Sequence, residues 1–273
     1  SKPEPAYEHI REALPALQFL MQTSDVEVLR GCCWILYHWT DCDENPNEQL
    51  VDYMLHSGLV VRLSDLVMHE STLVHTPALR AIGNIVAGDN DQTDMLLKLC
   101  PMLLKYLGDL VGSRRARKEA LWTLSNITAG SSHQIQQIIE AGLIPQVITI
   151  LPTAEFEVKR EAVWAICNAI TGGNQNQVDY VVYAGAIPVL VDLLDKEDDS
   201  YLVRCAVEAI KCLLQCGDHY VHIFEMLEHC GGVAKLESLQ YSKNNAKNLP
   251  STEVVPFDKD TDVDVAIPDL LIS

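Results

Sequence analysis

The sequence predicts an all-α chain built as an array of repeats, and three observations carry that prediction. The first is self-similarity. Arg80-Ala81-Ile82-Gly83-Asn84-Ile85-Val86-Ala87-Gly88 matches Trp122-Thr123-Leu124-Ser125-Asn126-Ile127-Thr128-Ala129-Gly130 and Trp164-Ala165-Ile166-Cys167-Asn168-Ala169-Ile170-Thr171-Gly172, each starting 42 residues after the last. Related segments lie 46 residues before Arg80, at Trp34, and 44 after Trp164, at Glu208, so five units share a period of 42–46. The second is the helical period of the apolar residues, with no sustained alternation of the kind a half-buried strand needs. The third is punctuation, with proline near predicted helix starts and glycine just past their ends.

Each unit reads as three helices. In the fourth, Gln134 to Ala141 forms a short helix closed by Gly142. Pro145 then opens a second, Val147 to Leu151, and Pro152-Thr153 break it. A long third helix runs from about Glu155 to Ile170 and stops at Gly172-Gly173. The next unit repeats the device in Ala184-Gly185-Ala186-Ile187-Pro188. Three helices in just over 40 residues is the armadillo arrangement rather than ankyrin or tetratricopeptide. Units of this kind bury their apolar faces only by stacking, which predicts a right-handed solenoid of three-helix units around one continuous core.

The ends are incomplete. Ala6 to Met21 reads as a second helix only, and its Ile10, Leu14, Leu17 and Leu20 are apolar where a terminal repeat needs a polar face. With Ser1 in place of Met, this leads to the expectation that further repeats precede Ser1 in a parent protein. Tyr220 to Cys230 and Val233 to Gln240 give two helices of a sixth unit. The expected organisation is an array over residues 1–248, of about five to six units, followed by an acidic tail over 249–273. That tail holds Pro250, Pro256 and Pro268, and six acids against Lys259, a composition that forms no stable structure alone.

Composition narrows the function. With 20 Lys+Arg against 38 Asp+Glu, the formal charge is −18. That argues against nucleic acid, which needs a basic face, and favours cationic partners. No apolar run is long enough for a membrane span. The nine cysteines are odd in number and irregularly spaced, as expected of reduced thiols. Cys212, Cys216, His219 and His222 have spacing conceivable for a metal, but buried cysteines in a packed helix followed by surface histidines are the stronger reading, and no metal or other cofactor is expected. No nucleophile–base pair, phosphate loop or HExxH motif appears, so an enzyme is not expected.

The third helices carry the informative residues. Glu119, Trp122 and Asn126 stand at i, i+3 and i+7, within about 60° of one another. Glu161, Trp164 and Asn168 repeat the trio, and Arg80 and Asn84 repeat its last two positions with Arg in place of Trp. Asparagine is not favoured inside a helix, so its recurrence at one phase needs a reason. Either the amides crosslink neighbouring helices, or they offer donors and acceptors to the backbone of an extended peptide. The tryptophans are either core aromatics or the walls of slots that attract Lys or Arg through the ring quadrupole and pack the aliphatic stem. Glu119 and Glu161, one turn earlier, would then meet the cation head.

Pro77-Ala78-Leu79-Arg80-Ala81-Ile82-Gly83-Asn84-Ile85-Val86 and Lys118-Glu119-Ala120-Leu121-Trp122-Thr123-Leu124-Ser125-Asn126-Ile127-Thr128-Ala129-Gly130 resemble importin-α, the nuclear-import adaptor. Arg160-Glu161-Ala162-Val163-Trp164-Ala165-Ile166-Cys167-Asn168 and Glu228-His229-Cys230-Gly231-Gly232-Val233 fit the same family, and the likeness covers about residues 6–248. It implies the C-terminal half of the family's array and its minor site for nuclear localisation signals (NLS). By that resemblance Arg80, Asn84, Val86, Thr93, Glu119, Trp122, Ser125, Asn126, Glu161, Trp164 and Asn168 contact an NLS peptide. It also implies basic NLS-bearing cargo, importin-β through a segment absent from this chain, an export receptor of the CAS type at the C-terminal repeats, nucleoporins, and shuttling between cytoplasm and nucleus.

The chain also departs from the family. Asn90 stands, between Asp89 and Asp91, where the family has an acid. His38 replaces the expected partner of Trp34, and Cys100 stands where other units have Gly58, Gly142 and Gly185. Arg114-Arg115-Ala116-Arg117-Lys118 is unusually basic and reads either as a solvated helix start or as a signal-like or phosphate-binding patch. These changes point to a diverged member. A catenin-like scaffold would share the fold, but its acidic partners call for a basic groove, whereas this one sets Glu119 and Glu161 beside tryptophan.

Overall fold

The computed structural model describes residues 7–41, 48–108, 113–195, 200–215 and 220–245. Among these there is no strand, and no helix is long and apolar enough to cross a membrane. The chain divides into two compact units, Ser1–Ala184 and Gly185–Ser273.

The first unit holds twelve described α-helices: α1 (Tyr7–Leu20), α2 (Val26–Thr40), α3 (Glu48–His56), α4 (Leu59–Val67), α5 (Thr72–Val86), α6 (Asn90–Leu96), α7 (Cys100–Leu107), α8 (Arg114–Thr128), α9 (Ser132–Glu140), α10 (Leu143–Ile150), α11 (Phe156–Gly172) and α12 (Gln175–Tyr183). The long helices α2, α5, α8 and α11 are the third helices of successive repeats and pack side by side in chain order. Each starts or is flanked by sequence signals that explain it. Asp25, Ser71 and Ser113 accept backbone N–H groups at the starts of α2, α5 and α8, satisfying donors that a helix start leaves unpaired. Leu79, Ile82, Leu121, Leu124, Val163 and Ile166 are fully buried between the rows, so each repeat completes its core on its neighbours.

The corner between first and second helices turns on glycine. Gly58, Gly142 and Gly185 have φ of +82°, +70° and +100°, a left-handed conformation that costs glycine little. Because the turn is complete at Gly142, α10 begins at Leu143, ahead of Pro145. The proline lies in the first turn, where its missing N–H has no intrahelical acceptor to lose. Cys100 has φ of −49°, so that unit cannot use the same corner. A 3₁₀ turn, Leu97–Leu99, bridges α6 to α7 instead, and Cys100 is buried, its thiol pushed up to about 12 by that burial.

In α1, Ile10, Leu14 and Leu17 are buried, whereas Phe19 and Leu20 are exposed. The second unit contains α13 (Ala186–Leu193), α14 (Ser200–Gln215), α15 (Tyr220–His229) and α16 (Gly232–Asn245). Helix α14 packs on α13 and α15, and Lys235 of α16 bonds the Val191 carbonyl at 3.2 Å and pairs with Asp195 at 2.7 Å. Helix α16 runs beyond the expected Gln240. The tail, residues 249–273, lies outside the described residues, as do Cys216 and His219 of the conceivable metal cluster. Among the described residues no three His, Cys, Asp or Glu side chains come together as a metal site would require.

Candidate functional site

The three asparagines do the same thing at three successive junctions. Asn84 Nδ2 donates to Tyr37 O at 3.2 Å and to Thr40 Oγ1 at 3.1 Å. Asn126 Nδ2 donates to Gly83 O at 3.3 Å, and Asn168 Nδ2 to Ser125 O at 2.9 Å. Each amide thus reaches an equivalent carbonyl on the third helix before its own. This is the crosslink, one of the two roles open from the sequence, and it explains a polar residue mid-helix at one phase of the repeat. Asn84 and Asn126 are nearly buried, and Asn168 is half-buried.

What lies over that bond differs between junctions. Trp122 is half-buried, and its indole covers Gly83 of the preceding helix. A Cβ on Gly83 would stand 2.2 Å from Trp122 Cζ3 and 2.6 Å from Cε3. One junction earlier Tyr37 takes the place of Gly83, and Arg80 takes the place of Trp122. The Arg80 guanidinium lies over the Tyr37 ring, 4.5 Å from its centroid, a cation–π distance. Burial, and then the hydrogen bond to Asp41, push the Tyr37 phenol up. The aromatic has therefore moved to the preceding helix, with an arginine facing it, and the stack tolerates either arrangement.

Glu119, expected to meet the cation head of a ligand, meets a cation of this chain instead. It is 5 % exposed, and its Oε1 lies 3.2 Å from Arg80 Nε. The approach is an ion pair without hydrogen-bond alignment, since Arg80 Nε has no hydrogen-bond partner. Burial pushes the Glu119 carboxyl up, opposed by Arg80, Lys118 and Arg115. Its cation is thus supplied by the chain, because α5 and α8 are neighbours and Arg80 occupies the tryptophan position. Glu161 and Trp164 are half-buried on α11. Ser125 is buried and its Oγ donates to Trp122 O at 2.9 Å. Val86 and Thr93 are buried at the end of α5 and on α6, where Thr93 Oγ1 donates to Val86 O at 2.9 Å and to Asp89 O at 3.0 Å. The loop acid Asp89 caps α6 by accepting the Gln92 N–H at 2.8 Å, beside exposed Asn90.

The basic run is dispersed into contacts within the chain. Arg114 pairs with Glu157 at 3.1 Å, and the Arg115 guanidinium lies 5.6 Å from the centroid of Trp34. Trp34 also stacks with His38 at 5.8 Å and meets Tyr37 edge-on at 5.4 Å.

A second ladder, on the first helices, was not singled out from the sequence. Gln134 is fully buried. Its Oε1 accepts the Ser131 N–H, while Nε2 donates to Asn90 O at 3.1 Å and Asp94 Oδ1 at 2.8 Å in the preceding repeat. Gln177 does the same with Asn174, Ser132 and Gln136. The signal was present as capping boxes, Ser131-x-x-Gln134 and Asn174-x-x-Gln177.

Comparison with known proteins agrees with this architecture. The armadillo/beta-catenin-like repeat model matches residues 131–170. Importin subunit alpha-1b of Oryza sativa subsp. japonica is 38 % identical over 253 residues, covering 89 % of this chain and 46 % of the relative. Importin subunit alpha-3 of Arabidopsis thaliana is 40 % identical over 255 residues, covering 89 % and 47 %. The chain spans about half the length of these curated relatives. Among solved structures, a designed armadillo repeat protein in complex with the peptide (KR)4 superposes with a TM-score of 0.75 at 32 % identity, over 86 % of this chain and 96 % of that one. A second designed armadillo repeat protein gives 0.74 at 31 % identity, over 83 % and 92 %. The chain belongs to the armadillo-repeat family, and its sequence is that of a diverged relative of importin-α.

Proposed function

We propose that the chain binds Lys/Arg-rich nuclear localisation signals as extended peptides across α5, α8 and α11, and so serves as a nuclear import adaptor. The observation that carries this reading is the Trp122 indole fixed over the Gly83 backbone, half-exposed and one turn from Asn126, with Trp164 half-buried at the same repeat position on α11. An indole held in this way offers a cation a preorganised surface. Donor bonds to the preceding helix hold the asparagine amides, and an amide carbonyl oxygen is the kind of acceptor that the N–H groups of a peptide backbone call for. Third helices stack about 10 Å apart and an extended chain advances about 3.3 Å per residue, so successive slots are about three residues apart along a ligand. The charge of −18 adds a long-range attraction for basic segments. The (KR)4 peptide bound by the designed relative is chemistry of the same kind.

Importin-β, an export receptor of the CAS type, nucleoporins and shuttling between cytoplasm and nucleus belong to the same reading. Affinity is expected to be micromolar. Losing Trp122 and Asn126 together removes a cation–π contact of about 0.5–2 kcal/mol and a hydrogen bond of about 1 kcal/mol. A loss of about 2–3 kcal/mol is more than tenfold in affinity. The test is titration of a fluorescent Lys/Arg peptide against wild type and the Trp122→Ala/Asn126→Ala variant, at two salt concentrations. Binding should weaken more than tenfold in the variant, and in both proteins as salt rises. Equal affinity, or undiminished binding when the peptide's Lys and Arg become Ala, contradicts the reading. Preference for an Asp/Glu-rich peptide would transfer it to a catenin-like scaffold.

A further inference from the structure

The basic run Arg114–Lys118 has no part in the function proposed above, and one of its members lies over a groove aromatic. Trp34 stands on α2 at the repeat phase of Arg80, Trp122 and Trp164, and it is half-buried. Arg115 is an exposed residue in the first turn of α8, two third helices further on, yet its guanidinium lies 5.6 Å from the Trp34 centroid. Arg80 fills the next level in the same manner, over Tyr37 and against Glu119.

We infer that Arg115 is a built-in ligand of Trp34, and that it makes this end of the groove refuse a ligand's Lys or Arg. The inference rests on the peptide-binding reading. A guanidinium tethered beside its aromatic acts at a high effective concentration, so a free cation has to displace it before it can use the same ring. Both cations at this end come from the chain itself, and a third would meet like charge as well as an occupied ring. The groove therefore reads basic residues at Trp122 and beyond, and stops reading them towards Trp34. Arg115 is in this sense a specificity-determining residue, and its removal should create a cation slot.

Two repeats separate Trp34 from Trp122, which corresponds to about six residues of extended peptide. The probes are a short Lys/Arg peptide, and two longer ones carrying one more Arg six residues from it, on the N-terminal or the C-terminal side. Wild type should bind short and long peptides alike. Arg115→Gln should bind one of the long peptides about threefold or more tightly than the short one, the scale of an exposed cation–π contact. Adding Trp34→Ala to Arg115→Gln should abolish that gain. Arg114→Gln removes the same charge one residue away and should show no gain. Absence of a gain in Arg115→Gln, an equal gain in Arg114→Gln, or a gain that survives loss of Trp34 would overturn the inference.

A second readout does not depend on peptide binding. Titrating arginine amide while following the Trp34 indole N–H resonance should shift it in Arg115→Gln and leave it in place in wild type. Equal shifts in the two proteins overturn the role of Arg115. Failure of every protein to bind the short peptide, with this arginine-amide difference intact, refutes the peptide reading and leaves the Arg115–Trp34 contact standing.

Discussion

Two junctions of one array use the same bond to opposite ends. Between α5 and α8 the preceding helix supplies Gly83, and an indole covers its backbone. Between α2 and α5 it supplies Tyr37, and a guanidinium covers the ring. The amide-to-carbonyl bond beneath is common to both, from Asn126 to Gly83 in one and from Asn84 to Tyr37 in the other. The difference teaches that the stack and the groove are separately adjustable. The asparagine holds the helices together, while the pair above it decides whether the level offers an aromatic face or already contains a cation.

The comparison breaks most visibly at Gly83. Exchange of a helix-interior glycine for alanine ordinarily stabilises by about 1 kcal/mol. Here the new methyl enters the Trp122 ring, so Gly83→Ala should destabilise by about 1–3 kcal/mol, with a red-shifted tryptophan emission as the indole is displaced. In a Trp122→Ala background the same exchange should turn neutral or stabilising. Urea denaturation of the two single variants and the double variant reads the coupling; a stabilising Gly83→Ala in wild type would contradict the packing.

A smaller effect tests what the junctions share. Asn168→Ala removes one donor bond across the junction, worth about 1 kcal/mol, and Asn84→Ala removes that bond and a second to Thr40 Oγ1; each regains about 0.5 kcal/mol in helix propensity. The Ser125 carbonyl keeps other donors, from Ala129 N and Thr128 Oγ1, so no buried acceptor is orphaned there. Net losses of about 0.5 kcal/mol at Asn168 and about 0.5–1.5 kcal/mol at Asn84 are expected by thermal or urea melts. No loss at one of the two sites would show that the bond is not a common element.

Much of this was legible in the sequence. The 42-residue spacing and the glycine corners located the helices because both are local signals, read within one repeat. The phase of Trp122, Asn126, Trp164 and Asn168 was equally local. Which of its two roles the asparagine plays was not, because the acceptor lies 43 residues earlier. The Glu119–Arg80 pair escaped for the same reason, and the Arg115–Trp34 contact more so, since it spans two repeats. Cys100 was visible as a departure, but its consequence, a 3₁₀ turn in place of a left-handed corner, depended on backbone angles. The glutamine ladder could have been found, because a capping box that recurs at the repeat period is a sequence signal.

The central claim is that the Trp122 end of the third-helix face is open to basic side chains while the Trp34 end is filled by the chain itself. The four indole N–H resonances, assigned by single Trp→Phe exchanges, measure both halves at once during titration with a Lys/Arg peptide. The account predicts progressive shifts of Trp122 and Trp164, with Trp34 unmoved. A shift of Trp34 comparable to that of Trp122, or no shift of Trp122 at saturating peptide, would contradict it.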